Sequence, residues 1–358
     1  MSVFSHPEFR QHEQVSFFND EKTGLKAIIA VHNTHLGPAL GGCRMWNYDS
    51  DEQALRDVLR LSRGMTYKAA ITGLPLGGGK SVIIGDAKKI KTPDLMKAMG
   101  RAVETFNGRY IIAEDVNTCV EDMNNINTQT QHVVGVLHDG EGSGDPSPVT
   151  ALGVYTGLKA AVRYRLHRSD MHGLKVAVQG LGNVGYNLCK MLHKDGAELF
   201  VTDVQKDKIE KAVKEFGATA VDLDDIYKQN VDVFAPCALG AIINDGTIKM
   251  LKAKVVAGAA NNQLAEARHG DVLREMNVLY APDYLINAGG LISVYYEHVA
   301  RKSGKKYDRT QVEAHVRKID ETSESIFRRA EADGISTSAA ADRIAEQRFH
   351  LSAASKAA

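Results

Sequence analysis

Three stretches of the sequence place reactive side chains where backbone can close on a small molecule. In Gly77-Gly78-Gly79-Lys80, three residues without side chains let the backbone approach a ligand and leave Lys80 at the edge of a cavity. Lys68 stands in the same glycine-rich neighbourhood. Two lysines facing one site repel each other, and partial desolvation adds to that repulsion, so one amine exists uncharged near neutral pH and can serve as a base. The other, still charged, can clamp a carboxylate. Asp115 follows a short apolar run, Tyr110 to Ala113, and a carboxylate at such a strand end can exchange protons with a departing amine. A phosphate-binding P-loop is the competing reading of Gly79-Lys80-Ser81, but its first glycine would fall at Leu74, and Gly73 is off by one.

The third stretch, Leu174 to Asp203, predicts a βαβ unit. An apolar run (Val176, Ala177, Val178) leads into Gly180, Gly182 and Gly185, which give G-x-G-x-x-G in strand-turn-helix context. The helix opens near Asn183 and Val184, where unpaired N–H groups and the positive end of the helix dipole suit a diphosphate. Asp203 ends the second strand, about 20 residues beyond the first glycine, where a carboxylate accepts bonds from both ribose hydroxyls. It would repel a 2′-phosphate, and no arginine stands nearby, so the expected cofactor is NAD and not NADP.

These groups need a scaffold, and the sequence predicts one. Leu25 to Val31 reads as a strand; the glycine-rich THLGPALGGCRMW that follows reads as a loop or short edge segment. Leu55, Val58, Leu59 and Met65 fall at helical spacing and put Lys68 near a helix C-terminus. Ser81 to Ile84 reads as a short buried strand, and a helix is expected from Pro93 to Phe106. Loop composition at Gly140 to Pro148 marks a candidate domain junction, followed by a long helix to about Leu166. Beyond Asp203, strands VDVFAP, VVAGAAN and VLYAPD alternate with helices, one of them starting at Leu264, in a doubly wound pattern. The segment YLINAGGLISVYYEHVA is expected to cross back. The fold class is therefore α/β, with two domains flanking a cleft: a substrate and assembly domain over 1–140, rejoined by C-terminal helices over 330–358, and a Rossmann domain over 145–329.

A chain of 358 residues exceeds what one core usually supports, which agrees with two domains. Lys plus Arg and Asp plus Glu balance at 44 each without long like-charge blocks, so no nucleic-acid or membrane partner is expected, only a small molecule. The polar start, MSVFSHPEFRQHEQ, lacks the features of a signal peptide, and a cytoplasmic location is expected. Cys43, Cys119, Cys189 and Cys237 are scattered, with no C-x-x-C pair. The 13 histidines show no H-E-x-x-H or equivalent spacing, and no metal is expected.

Taken together, MTYKAA, GLPLGGGKSVI, AEDVNT, GLGNVG and APDYLINAGG resemble the glutamate/leucine/phenylalanine/valine dehydrogenase superfamily, nearest in pattern to its leucine-type members, over almost the whole chain. The resemblance implies NAD-dependent oxidative deamination of an L-amino acid to its 2-oxo acid and ammonia, in a homo-octamer. It further implies that Lys68 holds the substrate carboxylate, Lys80 activates water and Asp115 shuttles protons at nitrogen. Asn262 helps to hold the substrate, and Thr150 joins the glycine turn at the cofactor. It puts Leu40, Gly41, Met65, Ala113, Leu291 and Val294 around the substrate side chain. All six are apolar or glycine, which disfavours a glutamate carboxylate, since burying one unpaired costs several kcal/mol. Leu40 narrows the pocket and favours leucine, isoleucine and valine. Two departures bear on substrate choice: Asn261 replaces the acid that leucine-type relatives carry before Asn262, and ISVYYE, with Ser293, Tyr295 and Tyr296, replaces their INVADE. A phenylalanine or valine dehydrogenase, and a catalytically silent NAD sensor, are the alternatives.

Overall fold

The computed structural model describes residues 3–136 and 144–357. Residues 140–143 of the expected junction lie outside them. The chain forms two compact α/β units: one comprises 1–144, 294–307 and 345–358, the other 145–293 and 308–344.

The first unit contains β1 (Gln14–Asp20), β2 (Leu25–Asn33), β3 (Ala39–Trp46), α1 (Asp51–Ile71), β4 (Gly77–Ile84), α2 (Ala87–Ile90), α3 (Pro93–Glu104), β5 (Tyr110–Glu114) and α4 (Val120–Asn127). Its sheet runs β1-β2-β4-β3-β5, with β3 parallel to both neighbours. Alternation along the strands sends Ile29, Cys43, Met45, Ile83, Tyr110 and Ile112 into a core with Leu95, Met99 and Met123. Ile28, Ala30 and Val82 point the other way, onto Ala54, Val58 and Leu59 of α1. That helix starts where the Ser50 side chain accepts the Gln53 N–H, with Asp51 and Glu52 in its first turn and Lys68 in its last, each charge matching the helix dipole.

Two expectations need correction. Ala39–Trp46 is an interior strand, not a loop or an edge, and β4 begins at Gly77, not Ser81. Glycine in a strand can mark close backbone approach rather than a turn. A Cβ on Gly41 would lie 1.7 Å from the Gly79 carbonyl oxygen, so β3 and β4 meet here at a distance only glycine permits.

The second unit holds α5 (Ser147–Leu166), β6 (Lys175–Gln179), α6 (Asn183–Lys194), β7 (Glu198–Thr202), α7 (Lys206–Phe216), β8 (Thr219–Ala220), β9 (Val233–Pro236), β10 (Val255–Val256), α8 (Arg268–Glu275), β11 (Leu279–Tyr280) and α9 (Asp283–Ile286). Its six strands are parallel in the order β11-β10-β9-β6-β7-β8. The helix expected from Leu264 begins at Arg268. Helix α10 (Gly289–Ser303) starts in this unit and ends in the first; α11 (Arg309–Arg317) and α12 (Ile319–Asp333) belong to the second, and α13 (Thr337–Ala357) enters the first at 345. Among the described residues no helix is long and apolar enough to cross a membrane.

Candidate functional site

In the first unit the reactive residues share the α1 face of the sheet. Lys80 pairs in register with Ala30, which faces α1, so the alternation carries the lysine to the same side. On β3 the same parity holds for Leu40, Gly42 and Arg44, and on β5 for Ala113, with Asp115 just beyond the strand end. Gly78 has no side chain because α1 passes directly over it: a Cβ there would lie 2.0 Å from the Thr66 nitrogen. Gly41 has the opposite parity, so its contribution to this face is backbone alone.

The Lys80 ammonium is 6% exposed and lies 2.9 Å from Oδ2 of Asp115. A buried ammonium requires such a partner, because an isolated charge at this depth costs several kcal/mol. Oδ2 also accepts a bond from Nε of Arg44 at 3.1 Å. Burial alone would push the Asp115 carboxyl up; the charges of Lys80 and Arg44 outweigh it and hold the group below its ordinary range. The backbone is fixed as well, since the Asp115 N–H donates to Oγ1 of Thr118 (2.8 Å), whose hydroxyl donates to the Cys43 carbonyl at 2.8 Å.

Met65 and Lys68 are half-buried one turn apart on α1. The end of that helix is clamped by α13: Tyr67 donates to Glu346 at 2.6 Å, and Arg348 donates to the Ala70 and Ile71 carbonyls at 2.9 and 2.5 Å. Both carbonyls lie in the last turn, where helical N–H donors run out, although the Ala70 carbonyl also accepts the Gly73 N–H at 3.1 Å. On α10, Leu291 is buried and Val294 half-buried, also one turn apart.

In the second unit the glycine turn has the form a diphosphate needs. Gly180 adopts φ +99°, and a Cβ on Gly185 would lie 2.0 Å from the Gly180 oxygen, so the first and third glycines are required by the protein itself. Gly182 is different: nothing lies within 4 Å of a Cβ there. It caps α6 immediately before Asn183 and Val184, in ordinary extended backbone, so the space beside it is open to a ligand at the helix N-terminus. Asp203 sits at the β7 end and ties to the turn, accepting the Leu181 N–H at 2.6 Å and the Gln205 N–H at 2.9 Å. These residues fit a dinucleotide.

Asn262, exposed with φ 52°, is held by its carbonyl, which accepts the Ala241 N–H at 2.7 Å. Its neighbour Asn261 accepts a bond from Nδ2 of Asn287 at 2.8 Å, so the amide does part of what an acid at that position would do. Thr150 lies in the first turn of α5, where a Cβ on Gly290 would come within 3.1 Å of its hydroxyl. Among the described residues, Asp245, Glu266 and His269 converge closely enough to hold a cation. Arg268 occupies that cluster, bonding both Asp245 oxygens at 2.6 and 2.7 Å and Glu266 at 2.9 Å.

Sequence reasoning missed Gly42, Arg44, Asp57 and Tyr48. A Cβ on Gly42 would lie 2.7 Å from the Asp115 Cβ and 3.2 Å from Nζ of Lys80, so this glycine makes room for the ion pair. Had the stretch been read as a strand, Gly42 and Arg44 would have shared a face with Leu40.

Comparison with known proteins agrees with this architecture. The model of the Glu/Leu/Phe/Val dehydrogenase dimerisation domain matches residues 12–132, and that of glutamate/leucine/phenylalanine/valine dehydrogenase matches 142–205 and 197–355. The chain is 53% identical to leucine dehydrogenase of Bacillus subtilis (strain 168) over 98% of its own length and 94% of that protein. It is 50% identical to L-tryptophan dehydrogenase of Nostoc punctiforme over 96% of its length and 95% of the relative. A crystal structure of L-tryptophan dehydrogenase from Nostoc punctiforme superposes with a TM-score of 0.84 at 47% identity, covering 96% of this chain and 97% of that one. With a buried lysine paired to a half-buried aspartate in one unit and a dinucleotide-type turn in the other, the chain belongs to the glutamate/leucine/phenylalanine/valine dehydrogenase family of amino-acid dehydrogenases.

Proposed function

We propose that this amino-acid dehydrogenase is NAD-dependent and oxidatively deaminates branched aliphatic L-amino acids, leucine first, with valine and isoleucine as further substrates. The observation that carries the reading is the pair of Lys80 and Asp115, 2.9 Å apart on a sheet face it shares with the apolar Leu40 and Ala113. Acid-base groups and an apolar surface on one face suit a substrate that is charged at one end and aliphatic at the other.

NAD, when bound, accepts the substrate α-hydrogen as hydride. Asp203, a carboxylate at the strand end, supports selection of a ribose with free hydroxyls, and the open side of Gly182 supports a diphosphate at the α6 N-terminus. Gly180, Gly185, Asn183, Val184 and Thr150 complete the cofactor assignments. Lys68 holds the substrate carboxylate, with Asn262 as a further polar contact. Asp115, ionised, takes a proton from the substrate ammonium. Once the α-carbon has been oxidised to the imine, Lys80, having released its ammonium proton to solvent when the charged substrate binds beside it, takes a proton from the water that adds to that carbon. Asp115 then returns its proton to the nitrogen and, ionised again, takes the proton of the new hydroxyl as the carbon–nitrogen bond breaks, so that the 2-oxo acid and ammonia leave.

Leu40, Met65, Ala113, Leu291 and Val294, with backbone from Gly41, are assigned to the substrate side chain. None offers a charge to a glutamate carboxylate. Assembly as a homo-octamer and a cytoplasmic location belong to the same reading; the four cysteines are all free thiols, which supports a reducing compartment. The test is NADH formation at 340 nm, at mildly alkaline pH, with NAD or NADP and a panel of L-leucine, isoleucine, valine, phenylalanine, tryptophan and glutamate. Turnover with NAD and the branched aliphatics is the expected result. An aromatic preference keeps the reaction and overturns the pocket, and activity with NADP alone overturns the reading of Asp203.

A further inference from the structure

Around Asp115 both charged donors converge on one oxygen. Nζ of Lys80 and Nε of Arg44 reach Oδ2 at 2.9 and 3.1 Å, and among the described residues no hydrogen bond to Oδ1 is found. The other branch of the Arg44 guanidinium, Nη1, reaches Oδ2 of Asp57 on α1 at 2.9 Å. Asp57 accepts a second bond from the Tyr48 hydroxyl at 2.7 Å. A rigid planar fork therefore spans two carboxylates, one on the helix and one at the strand end, and is itself held from behind.

We infer that Arg44 is a positioning residue for the amino-acid dehydrogenase reaction: it pins Asp115 through Oδ2 and so presents Oδ1 for proton exchange, with Asp57 and Tyr48 setting the fork. The inference rests on the reading of Asp115 as the proton shuttle. A lysine at 44 would preserve the charge but not the fork, because an ammonium is a point charge with no fixed angle between its donors. Asp57 matters for the same reason. Without it the guanidinium keeps its charge but loses one of the two anchors that fix its plane.

The titratable groups around Asp115 divide by element, and two of them, Cys43 and Tyr110, lie on the opposite face of the sheet. Lys80 comes from β4, Arg44 and the Cys43 thiol from β3, and Asp57 from α1 through Arg44; the Tyr110 hydroxyl lies on β5. Burial pushes the Cys43 thiol up to about 12 and the Tyr110 hydroxyl well above its usual value, so neither carries charge at working pH. Burial opposes the Arg44 charge, but Asp115 and Asp57 more than offset it, and the guanidinium stays protonated. Removing Arg44 thus takes from Asp115 one of the two cations, Lys80 and Arg44, that hold its carboxyl down.

The experiment compares Arg44→Met, Arg44→Lys and Asp57→Asn with the parent in kcat, KM and pH profile, alongside crystal structures of each. In Arg44→Met, kcat falls about 100-fold, the scale of a misplaced catalytic group, while KM for the amino acid stays within about threefold. The acid limb of its kcat profile moves to higher pH. Arg44→Lys restores the acid limb but not kcat, a split that a merely structural role does not produce. Asp57→Asn gives an intermediate kcat with the acid limb unmoved. Near-parental kcat in both Arg44 variants overturns the inference, as does equal recovery of kcat and acid limb by lysine. If Arg44→Met does not fold, Asp57→Asn decides, and parental kcat there counts against the inference. If the parent turns over no amino acid, the proposed function fails on its own account. The structures then still judge the positioning: a carboxylate of Asp115 unmoved in Arg44→Met or Asp57→Asn overturns it.

Discussion

Gly42 and Asp115 face each other so closely that a Cβ on the glycine would stand 2.7 Å from the Cβ of the aspartate. The same Cβ would lie 2.7 Å from the Glu114 carbonyl oxygen and 3.2 Å from Nζ of Lys80. Gly42→Ala therefore displaces the ion pair itself. Overpacking of this kind costs about 1 to 3 kcal/mol of stability, which the unit survives. The larger effect is on turnover, a loss of about 100-fold. Thermal melting and steady-state kinetics measured together check this; kcat within twofold of the parent, in folded protein, refutes it.

In the proposed mechanism Lys80→Ala removes the base and takes one of its two cationic partners from Asp115. Turnover is expected to vanish while NAD still binds, since the glycine turn lies in the other unit. Calorimetric titration with NADH separates the two. Persistence of near-full turnover would take Lys80 out of the mechanism.

The three glycines of the nucleotide turn separate into two kinds. Gly185→Ala drives a Cβ to 2.0 Å from the Gly180 oxygen, so the melting temperature falls. Gly182→Ala puts a methyl into open space on unstrained backbone, so the melting temperature holds and NAD affinity drops. Equal melting losses in both variants would contradict the ligand-facing role of Gly182.

His12 and His32 give the fold a pH dependence of definite sign. Their rings stack edge to face at 4.8 Å, and both are buried. His32 donates through Nε2 to the Arg10 carbonyl at 3.1 Å and accepts the Thr66 hydroxyl at Nδ1 at 2.8 Å, so the neutral ring is fully bonded. Burial first, then the charges of His12, Arg63 and His350, lowers the His32 pKa to about 3, and burial also lowers that of His12. Below pH 6.5 the unfolded chain protonates these rings while the native one does not, down to about 3 for His32. Stability is therefore complete above pH 6.5 and declines as pH falls, by about 1.4 kcal/mol per pH unit for a fully titrating ring. The His32→Gln variant should melt with a shallower pH dependence between 7 and 4.5; parallel curves would refute the assignment.

What the sequence made legible was set by how local each signal is. Gly180, Gly182, Gly185 and Asp203 lie within one βαβ unit, and spacing alone announces them. Lys80 and Asp115 stand out by residue type and position, but nothing local says that they touch. Arg44 meets Asp115 across 71 positions and Asp57 across 13, so that network belongs to the tertiary structure alone. Ala39–Trp46 looks like a loop in sequence because glycines usually signal turns; here Gly41 and Gly42 serve an interior strand and a crowded ion pair. The α13 clamp on α1 was equally hidden, since Arg348 meets Ala70 and Ile71 from the far end of the chain.

The glycine floor beneath the reactive pair also limits how this enzyme can diversify. At Gly41, Gly42, Gly77, Gly78 and Gly79 an added Cβ meets neighbouring atoms at 2.7 Å or less, in all but Gly79 including backbone, so mutation has almost no allowed step there. On the proposed assignment of Met65 and Val294 to the substrate side chain, drift in substrate preference passes through positions with slack such as these, both half-buried. Reaction chemistry is thus inherited nearly unchanged, while the choice of amino acid stays open to selection.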